Sequence, residues 1–364
     1  MASRRGPLAM GRRTVRGKGP MLAKLEQALP TGDGWTYEPK WDGFRCLVTV
    51  EADAVSFVSR DDRPMMRFFP EVVAMLEGLD AGTFVADGEL VLVRDDGTLS
   101  FEELQLRLHP AASRVQKLAG EIPATLFLFD LLRDGEEDLR QRPLSERRDH
   151  LAKLAARIGA APVPEEPGEL RPGPETRLTP WTDDLEVAER WYADEGWLGE
   201  DGILAKRSDS TYQAGVRGWV KVKHRRTTDC VVGGYRLSKD GEGVGSLLLG
   251  LYDDAGNLHY VGHTSSFRAA ERRQLREALA PLEGGAGFGG DARSPGGQSR
   301  WSAGRESTWV SLDPVLVCEV TYERVQSGRF RHSATFVRWR DDRDPRSCTF
   351  EQVGAEPQQW WGEA

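Results

Sequence analysis

The sequence has 364 residues, of which 39% are hydrophobic, 29% charged and 9% aromatic. Because a typical domain has roughly 100–200 residues, this length and composition predict two globular domains and exclude a disordered protein. The longest apolar run, residues 122–132, is interrupted by Pro123, Thr125 and Asp130. A transmembrane helix needs about 20 apolar residues, so we expect no membrane span.

The cysteines and the N-terminal residues indicate the compartment. The four cysteines are far apart and form no C-x-x-C pair, which argues against a structural zinc site and a dense disulfide framework. No apolar segment follows the basic residues near the N-terminus, as a secretory signal requires. We therefore expect a cytoplasmic protein.

The formal net charge is −8, but the basic residues are unevenly distributed. Residues 1–20 contain only basic charges, and five more basic residues crowd into residues 217–226. Nucleic-acid binding depends on local rather than net charge, so both segments are candidates for contact with a polyanion. We expect residues 1–20 to form a flexible arm that follows a phosphate backbone. The alternative, a disordered tail that contacts nothing, stays open.

In the first half of the chain, apolar and polar residues alternate through residues 35–60 around a Trp41-Asp42-Gly43 turn, which predicts antiparallel strands. Helical spacing predicts a helix over 70–79. Ser100 with Glu103 forms a capping-box pattern for a helix that ends near Leu108. The other predicted elements are strands at 83–93, 124–132, 203–207 and 218–224, helices at 145–158 and 183–197, and a loop at 161–174.

From Thr227 the pattern changes to strands and turns, so we place a domain boundary near Arg226. A Gly- and Ser-rich stretch, residues 283–307, predicts a mobile loop. The predicted strands are 230–237, 246–252, 258–261, 315–322 and 334–339, with one helix at 266–282. Five strands with a helix between the third and the fourth are typical of a small OB-type barrel.

The strongest local motif is Glu38-Pro39-Lys40-Trp41-Asp42-Gly43-Phe44-Arg45, which contains K-x-D-G-x-R where a strand meets a turn. Alone, its lysine is most simply an exposed hairpin side chain. Its companions follow in order along the chain, and they change that interpretation. They are Ser59-Arg60, Asp87-Gly88-Glu89, Phe127-Leu128-Phe129-Asp130, Asp201-Gly202-Ile203-Leu204-Ala205-Lys206, Trp219-Val220-Lys221-Val222-Lys223 and Arg338-Trp339-Arg340-Asp341-Asp342-Arg343.

This ordered set resembles the collinear motifs of the covalent nucleotidyltransferases, and specifically those of the ATP-dependent DNA ligases, from about residue 20 to residue 346. The chain is most similar to the short actinobacterial ligase C group, and it also resembles the ligase module of the bacterial end-joining ligases. The resemblance implies an α+β fold. An adenylation domain with antiparallel sheets and helices spans residues 21–226, an OB-fold β-barrel spans 227–350, and a tail spans 351–364.

The chemistry of a lysine nucleophile can be rebuilt from residue types. A lysine that attacks the α-phosphorus of ATP must be neutral and aligned opposite the pyrophosphate. If Lys40 lies beside Lys221 and Lys223, like-charge repulsion and partial burial favour its neutral amine. The same cations and a Mg²⁺ ion would neutralise the phosphates, and lysyl-AMP would form.

The resemblance implies a role for each further site residue. Glu38 reads the adenine amine, Arg45 and Glu89 hold the ribose, Phe129 stacks on the base, and Arg60 contacts phosphate at the nick. Glu89 and Asp201 hold Mg²⁺, and Asp42 assists attack by the 3′-hydroxyl. The remaining ATP-binding residues are Lys206, Arg217, Lys221 and Lys223, and the pyrophosphate-orienting residues are Arg338, Arg340, Asp342 and Arg343.

Three positions depart from the family pattern. Ser333 stands where relatives often have Pro, which we expect to matter little. Asp201 stands where the family usually has Glu, so its carboxylate is one methylene shorter. Arg343 stands where the last motif usually ends in Lys, which keeps the charge but changes the geometry.

We expect an enzyme that seals 5′-phosphate, 3′-hydroxyl nicks in duplex DNA, uses ATP and Mg²⁺, and acts as a monomer in DNA repair. A repair polymerase is a candidate partner. Two alternatives stay open at this point. One is an RNA ligase or capping-type transferase that uses the same lysine, and the other is a non-catalytic DNA-binding protein with an OB domain.

Overall fold

The structure is a computed structural model that describes residues 19–51, 54–79, 81–194, 197–289, 295 and 308–357. The chain divides into two compact units, Met1–His224 and Arg225–Ala364. Three predicted segments lie largely or partly outside the described residues, so their character stays a prediction. They are the basic arm (1–18 outside), the mobile loop (290–294 and 296–307 outside) and the tail (358–364 outside).

The first unit contains both strands and helices. Its described strands are β1 (Leu22–Glu26), β2 (Trp35–Pro39), β3 (Phe44–Glu51), β4 (Ala54–Ser59), β5 (Phe84–Leu92), β6 (Ala124–Asp134), β7 (Glu137–Asp138), β8 (Ala161–Pro162), β9 (Thr176–Leu178), β10 (Ile203–Arg207) and β11 (Arg217–Val222). Its described helices are α1 (Pro70–Glu77), α2 (Phe101–Leu106), α3 (Ala112–Glu121), α4 (Leu144–Ile158) and α5 (Leu185–Ala193).

A seven-stranded sheet, in the order β4-β3-β5-β6-β9-β8 with β7 on β6, forms the larger layer of this unit. Side chains alternate between the two faces of a strand, so one face can be apolar while the other carries charge. Cys46 and Val48 of β3 and Leu90 of β5 lie in the main core together with Leu76 of α1. The opposite face carries Arg45, which lies directly across from Glu89 in the β3–β5 register.

A four-stranded sheet, in the order β1-β11-β10-β2, forms the second layer of the unit. Its apolar face packs on α5, through a cluster made by Tyr37, Ala188, Ile203, Ala205, Val220 and Val222. On the other face Leu204 pairs with Glu38 of β2 and with Lys221 of β11, and Lys206 lies two residues further along β10. The pattern of these strands therefore places the charged motif residues together on one face.

The second unit is rich in strands. Its described elements are β12 (Arg226–Leu237), β13 (Val244–Tyr252), β14 (Leu258–Thr264), α6 (Ala269–Leu279), β15 (Val310–Ser311), β16 (Val317–Tyr322), β17 (Val325–Gln326), β18 (Arg329–Phe330) and β19 (Thr335–Trp339). The main sheet has the order β14-β13-β12-β16-β19. The first and last strands of this order meet, since Thr264 forms a parallel bridge with Ala334 just before β19. The five strands with a helix after the third follow the order predicted for an OB barrel.

The α+β class is confirmed, and most of the predicted elements are present with boundaries that differ by a few residues. The sequence patterns missed β1, α3 and the small hairpin of β17 and β18. They also missed the short strands β7, β8, β9 and β15, of which β8 lies in the predicted loop 161–174. The predicted capping box is half formed. The Ser100 hydroxyl accepts from the Glu103 N–H at 3.3 Å, but the Glu103 carboxylate accepts from Arg94 Nε at 2.8 Å instead of returning to the Ser100 backbone.

Within the described part of the chain, none of the helices has the length and hydropathy to cross a membrane.

Candidate active site

Lys40 follows β2 directly and is held at the start of β10 by the backbone. Its N–H donates to the Gly202 carbonyl oxygen at 2.9 Å. Gly202 has a φ of +100°, and a Cβ atom there would lie 2.0 Å from the Val222 carbonyl oxygen, so no other residue fits. The Asp201-Gly202 turn thus brings the ends of β2, β10 and β11 together.

The turn gives the lysine a carboxylate partner. Lys40 Nζ donates to Asp201 Oδ2, and Lys223 Nζ lies 3.7 Å from Asp201 Oδ1. All three side chains are mostly buried, at 20% exposure for Lys40, 15% for Asp201 and 13% for Lys223. Two cations therefore share one carboxylate at the point where the nucleophile was predicted.

The charge state of Lys40 differs from the expectation. Burial favours its neutral amine, but the carboxylates of Asp201, Glu89 and Asp42 together outweigh burial and raise the pKa of Lys40 above its usual value. The prediction that neighbouring lysines keep Lys40 neutral is therefore wrong for the nucleotide-free protein. The sequence showed the cations near Lys40 but not how many acids surround it.

Glu89 lies in the same electrostatic environment. Enclosure by the protein raises its pKa to about 8, although Lys40 and Arg45 act in the opposite direction. A carboxyl group with this pKa is largely protonated at neutral pH, so it stays neutral until a cation or a higher pH makes the ionised form favourable.

The raised pKa of Glu89 predicts a pH dependence of stability. Between its unfolded value of 4.5 and its folded value of about 8, the folded state holds the proton and the unfolded state does not. The contribution of Glu89 to the free energy of unfolding should therefore be fully present below pH 4.5 and should be lost as the pH rises to about 8. We measure thermal unfolding without nucleotide or divalent metal. Between pH 6 and pH 9, the melting temperature of the Glu89→Gln variant should fall less than that of the wild type. Parallel curves for the two proteins would contradict this assignment.

Glu38 lies on β2 two residues before Lys40 and is 2% exposed. Its Oε2 pairs with Lys206 Nζ at 2.5 Å, and its Oε1 accepts from Arg148 Nη2. Lys206 is fully buried, and burial lowers its pKa. Its ammonium lies 4.6 Å from the centre of the Phe129 ring and 4.2 Å from the Trp219 ring.

Arg45 is fixed by a buried carboxylate. Its Nε and Nη2 donate to Asp87 Oδ1 and Oδ2 at 2.9 and 2.6 Å, and the Tyr212 hydroxyl donates to Asp87 Oδ2 at 2.7 Å. The guanidinium lies 5.5 Å from the centre of the Phe129 ring. Phe129 is only 6% exposed, so its expected role as a stacking platform requires movement of the cations that cover it.

The Arg45–Asp87 pair predicts a large stability effect. Asp87 is fully buried, and removal of its carboxylate would leave the Arg45 charge without compensation. We expect Asp87→Ala to lower the free energy of unfolding by about 3–5 kcal/mol in urea denaturation. Asp138→Ala, which breaks the exposed pair with Arg140, should cost about 1 kcal/mol or less. Similar losses for the two variants would contradict the role given to Asp87.

Three further predicted residues lie at the edge of this arrangement or away from it. Lys221 is half-buried on β11. Arg217 begins β11 and is exposed. Arg60 is 64% exposed, and its Nε lies 3.5 Å from the neighbouring Asp61. The structure does not bring Arg60 into the Lys40 cluster, and its role at a nick stays a prediction.

The arginines of the last motif form a network inside the second unit. Arg340 Nη1 donates to both Asp229 oxygens at 3.1 and 3.0 Å, and its Nε donates to Asp342 Oδ1 at 2.9 Å. Arg343 Nε lies 3.6 Å from Asp229, and Arg338 Nε donates to Glu319 at 2.7 Å. Arg340 lowers the pKa of Asp342 to about 2. Asp229 thus holds two of the predicted arginines.

Comparison with known proteins decides the family. Residues 20–223 match the model of the ATP-dependent DNA ligase domain, and residues 240–343 match that of the ATP-dependent DNA ligase C-terminal region. The chain belongs to the ATP-dependent DNA ligases. This confirms the predicted family and fold and the prediction of an enzyme.

Curated relatives place this ligase more narrowly. It is 46% identical to DNA ligase C2 of Mycolicibacterium smegmatis over 93% of this chain and 94% of that protein. It is 44% identical to DNA ligase C of Mycobacterium tuberculosis over 92% and 93% of the two chains. The multifunctional non-homologous end joining DNA repair protein LigD of M. tuberculosis is 34% identical over 82% of this chain and 35% of that protein.

A solved structure supports the fold alone. A Lig E DNA ligase aligns with a TM-score of 0.53 at 16% identity, over 88% of this ligase and 99% of that chain.

The donors in this ligase suit a hard cation. Among the described residues no group of three or more His, Cys, Asp or Glu side chains is arranged as a metal cage. Mg²⁺ is usually held by one or two carboxylates together with phosphates and water, and does not need such a cage. The carboxylates of Asp201 and Glu89, which both act on Lys40, therefore fit a Mg²⁺ ion that arrives with the nucleotide.

Sequence reasoning missed four residues that support the ligase site. Asp87 and Tyr212 fix Arg45, Arg148 holds Glu38, and Asp229 holds Arg340. Asp87 belongs to the Asp87-Gly88-Glu89 motif. Residues i and i+2 share a strand face, so its position two residues before Glu89 could have indicated that it lies on the site face. The other three lie outside the motifs.

Proposed function

We propose that this ligase seals a 5′-phosphate to a 3′-hydroxyl at nicks in duplex DNA, with Mg²⁺ and with Lys40 as the nucleophile. The convergence of Lys40, Lys223 and Asp201 at the ends of three strands carries the proposal. A lysine paired with a carboxylate and flanked by a second cation can accept a nucleotide and bind its phosphates.

In the first step Lys40 Nζ loses its proton to water and attacks the α-phosphorus of ATP. The Nζ–phosphorus bond forms while the bond to pyrophosphate breaks. Lys221 and Lys223 bind phosphate oxygens, and Arg338, Arg340 and Arg343 orient the leaving pyrophosphate. Held by Asp201 and Glu89, Mg²⁺ would supply positive charge at the phosphates and at the carboxylates that raise the pKa of Lys40.

In the second step an oxygen of the 5′-phosphate attacks the AMP phosphorus, and the Nζ–phosphorus bond breaks. In the third step the 3′-hydroxyl attacks the adenylated 5′-phosphate, the new phosphodiester bond forms and AMP leaves. We infer that Asp42 takes the hydroxyl proton. It is 8% exposed and acts electrostatically on Lys40, which supports this role. Lys40 returns to its amine form after each cycle.

Substrate choice is the direct test of this proposal. The protein is incubated with Mg²⁺, ATP or GTP, and end-labelled duplexes that carry a nick in an all-DNA or an all-RNA strand. We expect sealing of the DNA nick with ATP and much slower reaction with GTP or the RNA nick. Preference for RNA or for GTP would favour an RNA ligase or a capping-type transferase instead.

We also propose that the ligase acts in DNA repair as a cytoplasmic monomer, with a repair polymerase as a candidate partner. The named end-joining relatives support the repair role. Analytical ultracentrifugation tests the oligomeric state, where a dimer at micromolar concentration would contradict the proposal.

A further inference from the structure

Two adjacent arginines on α4 have very different surroundings. Arg147 is fully satisfied: its Nε and Nη2 donate to Asp130 at 2.8 Å, and its Nη1 donates to the carbonyl oxygens of Arg142 and Ser210 at 2.8 and 2.9 Å. These hydrogen bonds account for the burial of the Arg147 guanidinium. It ties α4 to the middle of β6, at the residue that follows Phe129.

Arg148 is also buried, at 6% exposure, but its guanidinium is only partly used. Its Nη2 donates to Glu38 Oε1, while its Nε and Nη1 have no hydrogen-bond partner among the described residues. Buried charged donors are normally satisfied, and each unsatisfied one costs stability. The pattern suits a side chain that receives part of its hydrogen bonding from a ligand.

The unused donors lie where a base is expected. The Trp181 ring covers the guanidinium at 4.4 Å, and Glu38 is the residue expected to read the adenine amine. Lys206 already occupies the second oxygen of Glu38. Because a guanidinium is a rigid planar fork, the spare N–H groups of Arg148 lie within a few ångströms of any group that binds at Glu38.

We propose that Arg148 donates a hydrogen bond to adenine N1, beside the exocyclic amine, and so determines specificity for ATP over GTP. This inference rests on the proposed function, with Glu38 in the nucleotide pocket. The adenine amine is a donor flanked by N1 and N7, which are both acceptors, so a carboxylate beside an N–H donor complements it. Guanine presents its O6 acceptor to the carboxylate, and its N1–H donor meets the guanidinium. A misplaced donor or acceptor of this kind costs more than a missing contact.

Nucleotide analogues test the proposal. Formation of the covalent enzyme–nucleoside monophosphate is measured with ATP, 1-deaza-ATP, 7-deaza-ATP and GTP, for the wild type, Arg148→Met, Arg148→Gln and Arg157→Met. Arg157 lies on the same helix, pairs with Asp134 and is 39% exposed, so it serves as the matched control. The two deaza analogues distinguish N1 from N7.

For the wild type and Arg157→Met, we expect 1-deaza-ATP, but not 7-deaza-ATP, to lower kcat/KM roughly ten- to hundredfold relative to ATP. With ATP, kcat/KM of Arg148→Met should be lower than that of the wild type by the same factor. Replacing ATP by 1-deaza-ATP should not lower kcat/KM of this variant further. Arg148→Gln, which keeps one amide donor, should fall in between. If thermal unfolding shows that Arg148→Met does not fold, ATP and the analogues are compared with Arg148→Gln instead.

Equal use of ATP and 1-deaza-ATP by the wild type would overturn the proposal, and so would full discrimination against 1-deaza-ATP by a folded Arg148 variant. These results would leave the proposed function intact as long as ATP still labels the protein. Absence of any labelling of the wild type by ATP would instead overturn the proposed function itself.

Discussion

Lys40→Ala should abolish formation of enzyme-AMP and the sealing of ordinary nicks. Lys40 Nζ is the amine that meets Asp201 and Lys223 at the ends of three strands, and an alanine offers no nucleophile there. Incubation with α-labelled ATP should give no detectable labelling of this variant, since the covalent intermediate cannot form without its nucleophile. With a nick supplied already adenylated, part of the sealing activity should remain, because the last step does not use the lysine amine.

The control for this variant is Lys24→Ala, which removes an exposed lysine of β1 that pairs with Glu26. It should retain normal labelling and sealing. Sealing of ordinary nicks by the Lys40→Ala protein at the wild-type rate would contradict the assignment of the nucleophile.

Arg340→Ala should slow the reaction with ATP by about a hundred- to a thousandfold, the usual effect of removing one group that stabilises a leaving charge. Arg340 is positioned by Asp229 and Asp342, so its guanidinium is fixed within the second unit rather than left to sample many rotamers. The loss should be specific to the step that releases pyrophosphate. The rate of sealing of a pre-adenylated nick should fall much less. This difference is measured from the single-turnover rates of enzyme-AMP formation and of sealing of a pre-adenylated nick.

Arg346→Ala is the matched control for Arg340. Arg346 lies in the same unit, donates to the Gly256 carbonyl oxygen at 2.9 Å and stacks on Tyr252, and it is not among the residues predicted to orient pyrophosphate. It should react with ATP at close to the normal rate. An equal loss in both steps for Arg340→Ala would show that Arg340 supports the fold or the DNA rather than the leaving group.

The strands that build the site were predictable because their pattern is strong. Alternation placed Arg45 and Glu89 on one face of their strands and put core residues such as Val48 on the other. The elements that were missed carry weaker patterns. Helix α3 buries only Val115 and Leu118, and β17 and β18 have two residues each, so neither gives enough periodicity to detect.

The electrostatics of the site were not predictable, because they depend on contacts between residues far apart in the sequence. Asp201 is 161 residues from Lys40, and Arg148 is 110 residues from Glu38. A motif shows that a lysine has basic neighbours, but the pKa of Lys40 depends on how many carboxylates the fold brings near it. For the same reason Asp229, which lies 111 residues before Arg340, gave no local signal.

Peptide mapping by mass spectrometry tests the central claim most directly. The wild-type protein is incubated with ATP and Mg²⁺, digested before and after addition of nicked duplex DNA, and searched for adenylated peptides. The account predicts one adenylyl group, on the peptide that contains Lys40, and its disappearance when nicked DNA is added. An adenylyl group on another side chain, or one that nicked DNA does not remove, would contradict it.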